Sequence, residues 1–182
     1  MGAINVHEFI TLDGVIENPS WTMEFGFDPR MGDAIARLTG DSGAILLGRK
    51  TYEMFAPAWS KRTAAEDPGA PFFNDTQKYV VSSTLTSAEW ANSSILDRYD
   101  ADAIRELKAR VAGPIYVSGS ATLVRAMLAD GLVDTLHLFV YPVALGNGLR
   151  LFPDGVASVR FELAESETYA NGVVHLAYAP HP

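Results

Sequence analysis

The stretch "IYVSGSATLVRAML", Ile115 to Leu128, changes character twice within a few residues. Three β-prone apolar residues come first, and Ser118-Gly119-Ser120 follows. Then Leu123, Val124, Met127 and Leu128 recur at helical spacing. The stretch is read as strand, tight turn, helix. A second stretch, "AILLGRKTYEMF" from Ala44, repeats the plan with a buried-type apolar run, then Gly48, then the start of a short helix. Strands that feed directly into helices build open α/β sheets, and such sheets bind ligands at the carboxyl ends of their strands.

The flanking sequence agrees. "INVHEFITL" carries apolar residues in both phases, as a strand covered on two faces would. A loop with Asp13-Gly14 and Asn18-Pro19 turn signals comes next. Asp28 and Pro29 then open a helix, as cap and first helical residue. "KYVVSS" is another buried strand, and "DADAIRELKARV" an amphipathic helix closed by Gly113-Pro114. The Pro-rich segment 56–76 reads as a long loop, "LVDTLHLFVYPVAL" as one long strand, and Asn171-Gly172 as the centre of a hairpin. Helices alternate with strands in the first two-thirds, and strands dominate the last third. The expectation is a single domain over 1–182, with a mostly parallel sheet, helices on both faces and an antiparallel C-terminal hairpin.

Composition narrows the function. A net charge of −8 argues against broad nucleic-acid binding, which needs a basic surface. There are no cysteines, hence no disulfide framework and no thiolate chemistry. No apolar run approaches the roughly 20 residues that span a bilayer. No secretory signal is visible at the start, and Val6 stands where a myristoylation motif wants Ser or Thr. The cytoplasm is the expected place. His7, His137, His175 and His181 show no ligand spacing, so no metal site is expected. There is no G-x-S-x-G elbow and no G-x-G-x-x-G after the first strand. "GAILLGRKT" imitates a phosphate-loop motif, but its spacer is Ala-Ile-Leu-Leu, which belongs in a strand, and Arg49 pushes the lysine one place late.

Two strand-to-helix turns carry chemistry. Gly48-Arg49-Lys50-Thr51 and Ser118-Gly119-Ser120-Ala121-Thr122 combine small residues, hydroxyls and a helix N-terminus, whose unpaired N–H groups and dipole favour an anion. Arg49 and Lys50 add two charges. Ser82 and Ser83 end a third strand. Such turns, side by side, suit a molecule with several phosphates, such as a dinucleotide. The alternative is that the serines cap helices and the cations are solvated. Glu8 lies in phase with apolar residues; a buried carboxylate must pair or its pKa rises, so it is either tied or a proton donor.

In order and spacing, "TLDG", "LLGRKTYE", "VVSSTL", "IYVSGSATLVRAML" and "LVDTLHLFVYPVALGNGLRLFP" resemble the dihydrofolate-reductase fold. The resemblance is strongest to the branch containing the C-terminal reductase domain of the RibD-type riboflavin-biosynthesis enzyme, and it spans Ile4 to about Ala179. It implies NADPH as cofactor. Gly48 and Thr51 would lie against phosphates, Arg49 with Lys50 would face the 2′-phosphate, and Ser82 and Ser83 would lie near it. Gly119, Ser120, Ala121 and Thr122 would lie on the pyrophosphate. Asp13 and Trp21 are the candidates on the substrate side. Asp33 is the candidate catalytic acid, about one residue out of register with the family's acidic position. The implied activity is hydride transfer to a C=N or C=O carbon of a small heterocycle, in the 5-amino-6-(5-phosphoribosylamino)uracil reductase manner. Dihydrofolate or pteridine reduction and a non-catalytic NADPH-binding module are the alternatives. A homodimer is implied by analogy.

Overall fold

In the structure, a computed structural model that describes residues 2–181, the strands are β1 (Ile4–Thr11), β2 (Ala44–Gly48), β3 (Lys78–Val81), β4 (Ser93–Leu96), β5 (Ile115–Val117), β6 (Thr135–Tyr141), β7 (Phe161–Thr168) and β8 (Val174–Pro180). They form one sheet in the order β4-β3-β2-β5-β1-β6-β8-β7. The strands β1 to β6 are mutually parallel, and β8 runs antiparallel to both β6 and β7. This is the α/β architecture expected, with the antiparallel pair at the C-terminal edge.

The helices are α1 (Pro29–Gly40), α2 (Arg49–Trp59), α3 (Ala70–Asp75), α4 (Ala101–Arg110) and α5 (Ala121–Ala129). A short 3-10 helix covers Pro19–Phe25. The chain moves one way across the sheet from β1 through β2 to β3, and the other way from β4 through β5 to β6. Right-handed crossovers therefore set α1 and α2 on one face and α4 and α5 on the other. The core follows this division. Ile104, Leu107, Leu123, Val124, Met127 and Leu128 pack with Ile4, Val6 and Ile10 on one face. On the other face two clusters form separately: Met31 and Ala34 of α1 with Phe139 and Tyr141, and Tyr52 of α2 and Phe73 of α3 with Ile45, Leu47, Val80 and Tyr116.

Several local expectations need correcting. The segment 56–76 is not all loop: α2 continues through Pro57 to Trp59, and α3 starts with Pro71 in its first turn. The fully buried Lys78 secures α3's end, its Nζ donating to the carbonyls of Phe73 at 2.8 Å and Thr76 at 2.8 Å. The long strand stops at Tyr141 because Pro142 has no N–H for the ladder. The edge strand β4 was not expected, since Ser93-Ser94 resembles a loop and β4 has β3 as its one neighbour. The hairpin expected around Asn171-Gly172 is present: these residues lie in a five-residue connection between antiparallel β7 and β8, closed by Tyr169 N–H donating to Val173 O at 2.9 Å.

Candidate functional site

The strand β5 is the shortest in the sheet, three residues long, with β1 beside it running eight. Val6 pairs with Val117 in the last step of their shared register. Beyond that step the sheet has a notch, walled by β1 from His7 onward and by the start of α2. It lies where neighbouring strands send their helices to opposite faces of the sheet, the position at which open sheets bind ligands. The two loaded turns meet there. Gly48 N–H donates to Gly119 O at 3.2 Å. A Cβ on Gly48 would collide with Ser120 Oγ, and one on Gly119, whose φ is +76°, would come 2.8 Å from Thr51 Oγ1. Both positions thus require glycine for close backbone approach. The Gly119–Ser120 peptide bond is cis.

The helices differ in how they start. Asp28 caps α1 by accepting Arg30 N–H at 2.9 Å. Asp100 caps α4 by accepting the N–H groups of Asp102 at 2.9 Å and Ala103 at 3.2 Å. Neither α2 nor α5 has a side-chain cap, although Ser120 holds the cap position of α5. Three α-helices start without a side-chain cap, α2, α5 and the six-residue α3, and the first two of them meet at the notch. An aspartate there would repel an anion; glycine and serine leave the donors and the dipole unopposed.

A cavity of about 1230 Å³ opens from this point, between the α1 cluster and the α2–α3 cluster. Lys50, Thr51 and the 118–121 turn line one end, and His7, Phe9 and Tyr116 form part of the sheet-side floor. Ile16, Thr22, Phe27, Asp33, Ile35 and Phe55 are among the residues at the other end. Met23, Phe27 and Met54, 82%, 67% and 43% exposed, expose an apolar rim. Contiguous exposed apolar surface of this kind marks ligand sites. The volume exceeds the roughly 300–1,000 Å³ usual for one small-molecule pocket, so it has room for a dinucleotide and a second molecule.

Of the residues singled out from the sequence, Lys50, Thr51, Gly119, Ser120, Ala121 and Asp33 line this cavity. Arg49 starts α2 but turns to Glu53, donating to its carboxylate oxygens at 2.9 and 3.1 Å. Ser82 spends its Oγ on the N–H groups of Thr84 and Leu85, at 3.2 and 2.9 Å, while Ser83 and Thr122 are exposed. Asp13 lies outside the lining. Its carboxylate accepts from Thr11 Oγ1 at 2.6 Å, Gly146 N–H at 2.7 Å and Leu145 N–H at 3.2 Å. The Thr11 hydroxyl first, and then these N–H groups, hold its pKa down at about 2. Trp21 is also outside the lining, buried edge-on against Tyr141 at 5.3 Å, its Nε1–H donating to Glu17 O at 3.3 Å. Both residues brace the loop that frames the cavity.

Two buried groups in the lining complete the site. Glu8 is 6% exposed, and its Oε1 has no hydrogen-bond partner among the described residues. Burial pushes its pKa up to about 8; the Gly119 backbone N–H favours the charged form and offsets part of this. His7 donates or accepts at Nδ1 with Tyr116 Oη at 2.6 Å, and its Nε2 is likewise unpartnered. Burial lowers its pKa to about 3, with His137 and His175 adding repulsion, so the ring is neutral. The sequence signal for Glu8 was its phase among apolar residues. His7 had none, because its partner lies on another strand. No group of acids, cysteines and histidines able to hold a metal occurs among the described residues, and no helix is long and apolar enough to cross a membrane.

Known proteins resemble this chain in sequence or in fold. The chain is 28% identical to "Uncharacterized protein YyaP" of Bacillus subtilis (strain 168) over 179 residues, which is 93% of this chain and 90% of that protein. Among solved structures, the Thermotoga maritima diaminohydroxyphosphoribosylaminopyrimidine deaminase/5-amino-6-(5-phosphoribosylamino)uracil reductase superposes with a TM-score of 0.70 at 16% identity, covering 99% of this chain and 57% of that one. Dihydrofolate reductase from Enterococcus faecalis complexed with NADP(H) superposes with a TM-score of 0.66 at 14% identity, covering 100% and 98%. At such identities the likeness is one of fold. The model of the RibD C-terminal domain matches residues 3–175, and the chain belongs to that family.

Proposed function

We propose that this chain is a NADPH-dependent reductase acting on a C=N or C=O carbon of a small heterocyclic molecule. The observation that carries this reading is the pair of uncapped helix starts, α2 and α5, packed together beside the cavity. The donor chemistry there fits a pyrophosphate: open N–H groups of Thr51, Ala121 and Thr122, a neighbouring Lys50, and no carboxylate cap. Arg49 and Ser83 stand on the β3 side of these turns, where the adenosine 2′-phosphate would lie. Bound NADPH supplies the hydride. The chain's own work is placement: the glycine turns admit the phosphates, α1 and the 3-10 helix wall the acceptor against β1, and the apolar rim excludes water. The related Thermotoga fold acts, by its name, on a phosphoribosylaminouracil, and that substrate class is the first to try.

A pteridine is the second reading. Asp33 favours it, being an acid of α1 that lines the cavity and is exposed to it. The test is NADPH consumption by the pure protein with the phosphoribosylaminouracil, with dihydrofolate, and with neutral cyclic imines and enones as a third set. Turnover of any one set, lost in Gly119→Val, supports the reductase reading and names the class. NADPH binding with no turnover on all three would leave a binding module and end the enzyme reading.

A further inference from the structure

We propose that Glu8 is the proton-carrying group of this site, holding a proton on Oε1 in the free protein and surrendering it where the nicotinamide end of the cofactor meets the acceptor. The inference rests on the NADPH reading above and extends it to the reacting atoms. The placement comes from strand order. Ser83 follows β3, Arg49 and Lys50 follow β2, and Gly119 to Thr122 follow β5. A dinucleotide whose 2′-phosphate lies over β3 and β2, and whose pyrophosphate lies over β5, places its remaining ring over the next strand. That strand is β1, and Glu8 is its residue at the notch. The carboxyl is 3.7 Å from where a Cβ of Gly119 would stand, so it sits directly beside the turn.

The surroundings decide its state. The register partner of Glu8 on β6 is Leu138. The titratable groups near it are Tyr116 on β5, whose burial keeps the phenol neutral, His7 on β1, neutral and hydrogen-bonded to that phenol, and Lys50 across the cavity on α2. On the opposite side Arg125 of α5 is occupied by the carbonyls of Leu151 and Arg150, at 2.9 and 2.7 Å. No cation among the described residues pairs with Glu8. An unpaired carboxyl buried at 6% exposure, with one oxygen lacking any donor, is held in its neutral form by desolvation.

The bond changes balance around this group. On reduction the acceptor carbon would gain the hydride that bound NADPH gives up in being oxidised to NADP+, the π pair would move onto the acceptor's oxygen or nitrogen, and that atom would take a proton. Glu8 loses its Oε1–H bond and is left as carboxylate, and solvent returns the proton when the site opens. The same geometry makes a cationic ring draw the proton off even without substrate.

Calorimetry in two buffers of different protonation enthalpy reads this directly, with NADP+ and NADPH as probes at neutral pH. NADP+ is expected to release up to about one proton more than NADPH, and Glu8→Gln, an isostere of the neutral acid, is expected to bind both nucleotides with that difference gone. Equal release by the two nucleotides, or a difference that survives in Glu8→Gln, overturns the role of Glu8 and leaves the cofactor reading standing. Binding of neither nucleotide overturns the cofactor reading, and this inference falls with it. Should Glu8→Gln not fold, the infrared difference between the NADP+ and NADPH complexes of the unaltered protein decides: loss of a protonated-carboxyl band supports the proposal, and no change refutes it.

Discussion

The two ends of the cavity are made of different material. The end at β2 and β5 is mostly backbone: Gly119, with Gly48 packed behind it against Ser120, open helix N-termini and small hydroxyl residues, all contributed by two short stretches of chain. The end at α1 is side chain: Met23, Phe27, Ile35, Phe55 and Asp33, gathered from the 3-10 helix, the loop after it, α1 and α2. A backbone cradle recognises a phosphate wherever the chain makes that turn, so it is tied to local sequence. A side-chain wall recognises one shape, and its parts vary independently. On the proposed reading, the cofactor end would be the fixed part of this molecule and the acceptor end the adjustable part.

The largest effect should come from filling the cradle. Gly48→Val drives a branched side chain into Ser120. It is expected to destabilise the fold by about 1–3 kcal/mol and to abolish detectable NADPH binding, measured by denaturant unfolding and calorimetry. Retained nucleotide affinity would mean that the turns are packing features alone.

Next comes pH, where the two faces of the sheet act in opposite directions. The Glu8 pKa is raised from 4.5 to about 8, so its favourable term is complete below 4.5 and is lost as pH climbs to 8. The pKa values of His7 and His137 are lowered from 6.5 to about 3 and about 4, chiefly by burial, so their term is complete above 6.5 and is lost as pH falls toward 4 and 3. Stability should therefore peak near pH 6.5. Glu8→Gln should flatten the alkaline limb, gaining roughly 2–4 kcal/mol at pH 9 relative to its difference from wild type at pH 5. Parallel curves for the two proteins would show that the carboxyl is solvated.

Arg49 gives a smaller, selective effect. Arg49→Ala is expected to weaken NADPH by about 1.5–3 kcal/mol and NADH hardly at all. Because Glu53 holds Arg49 in the free protein, Glu53→Gln should release it and tighten NADPH by up to about 1 kcal/mol. The smallest effect belongs to the adjustable end. Phe27→Ser should leave NADPH affinity within about 0.5 kcal/mol while lowering affinity for whichever acceptor turns over. A large loss of NADPH affinity would merge the two ends into one site.

The same contrast explains what the sequence made legible. Strand-turn-helix units announce themselves locally, so β2–α2 and β5–α5 could be read from glycine, serine and periodicity, and α1 from Asp28-Pro29. The strand β4 could not, because Ser93-Ser94-Ile95-Leu96 becomes a strand through one neighbour, β3. The helix α3 was hidden by Gly69 and Pro71, which signal a loop unless Lys78 is known to close the far end. Asp13 and Trp21 have the residue types of a substrate site. Their partners, Gly146 for the first and Tyr141 for the second, lie more than a hundred residues away and make them braces. Glu8 was legible as buried, but whether it was paired depended on what other strands brought near it, and they bring Leu138 and no cation.

Everything proposed for this site depends on whether the α2 and α5 starts hold a 2′-phosphorylated dinucleotide. Calorimetric titration of the pure protein with NADPH and with NADH tests it most directly. Tight NADPH binding is expected, with NADH at least tenfold weaker, equivalent to about 1.4 kcal/mol. Equal affinity for the two would remove Arg49 and Lys50 from the site, and binding of neither would mean that these helix starts hold no dinucleotide.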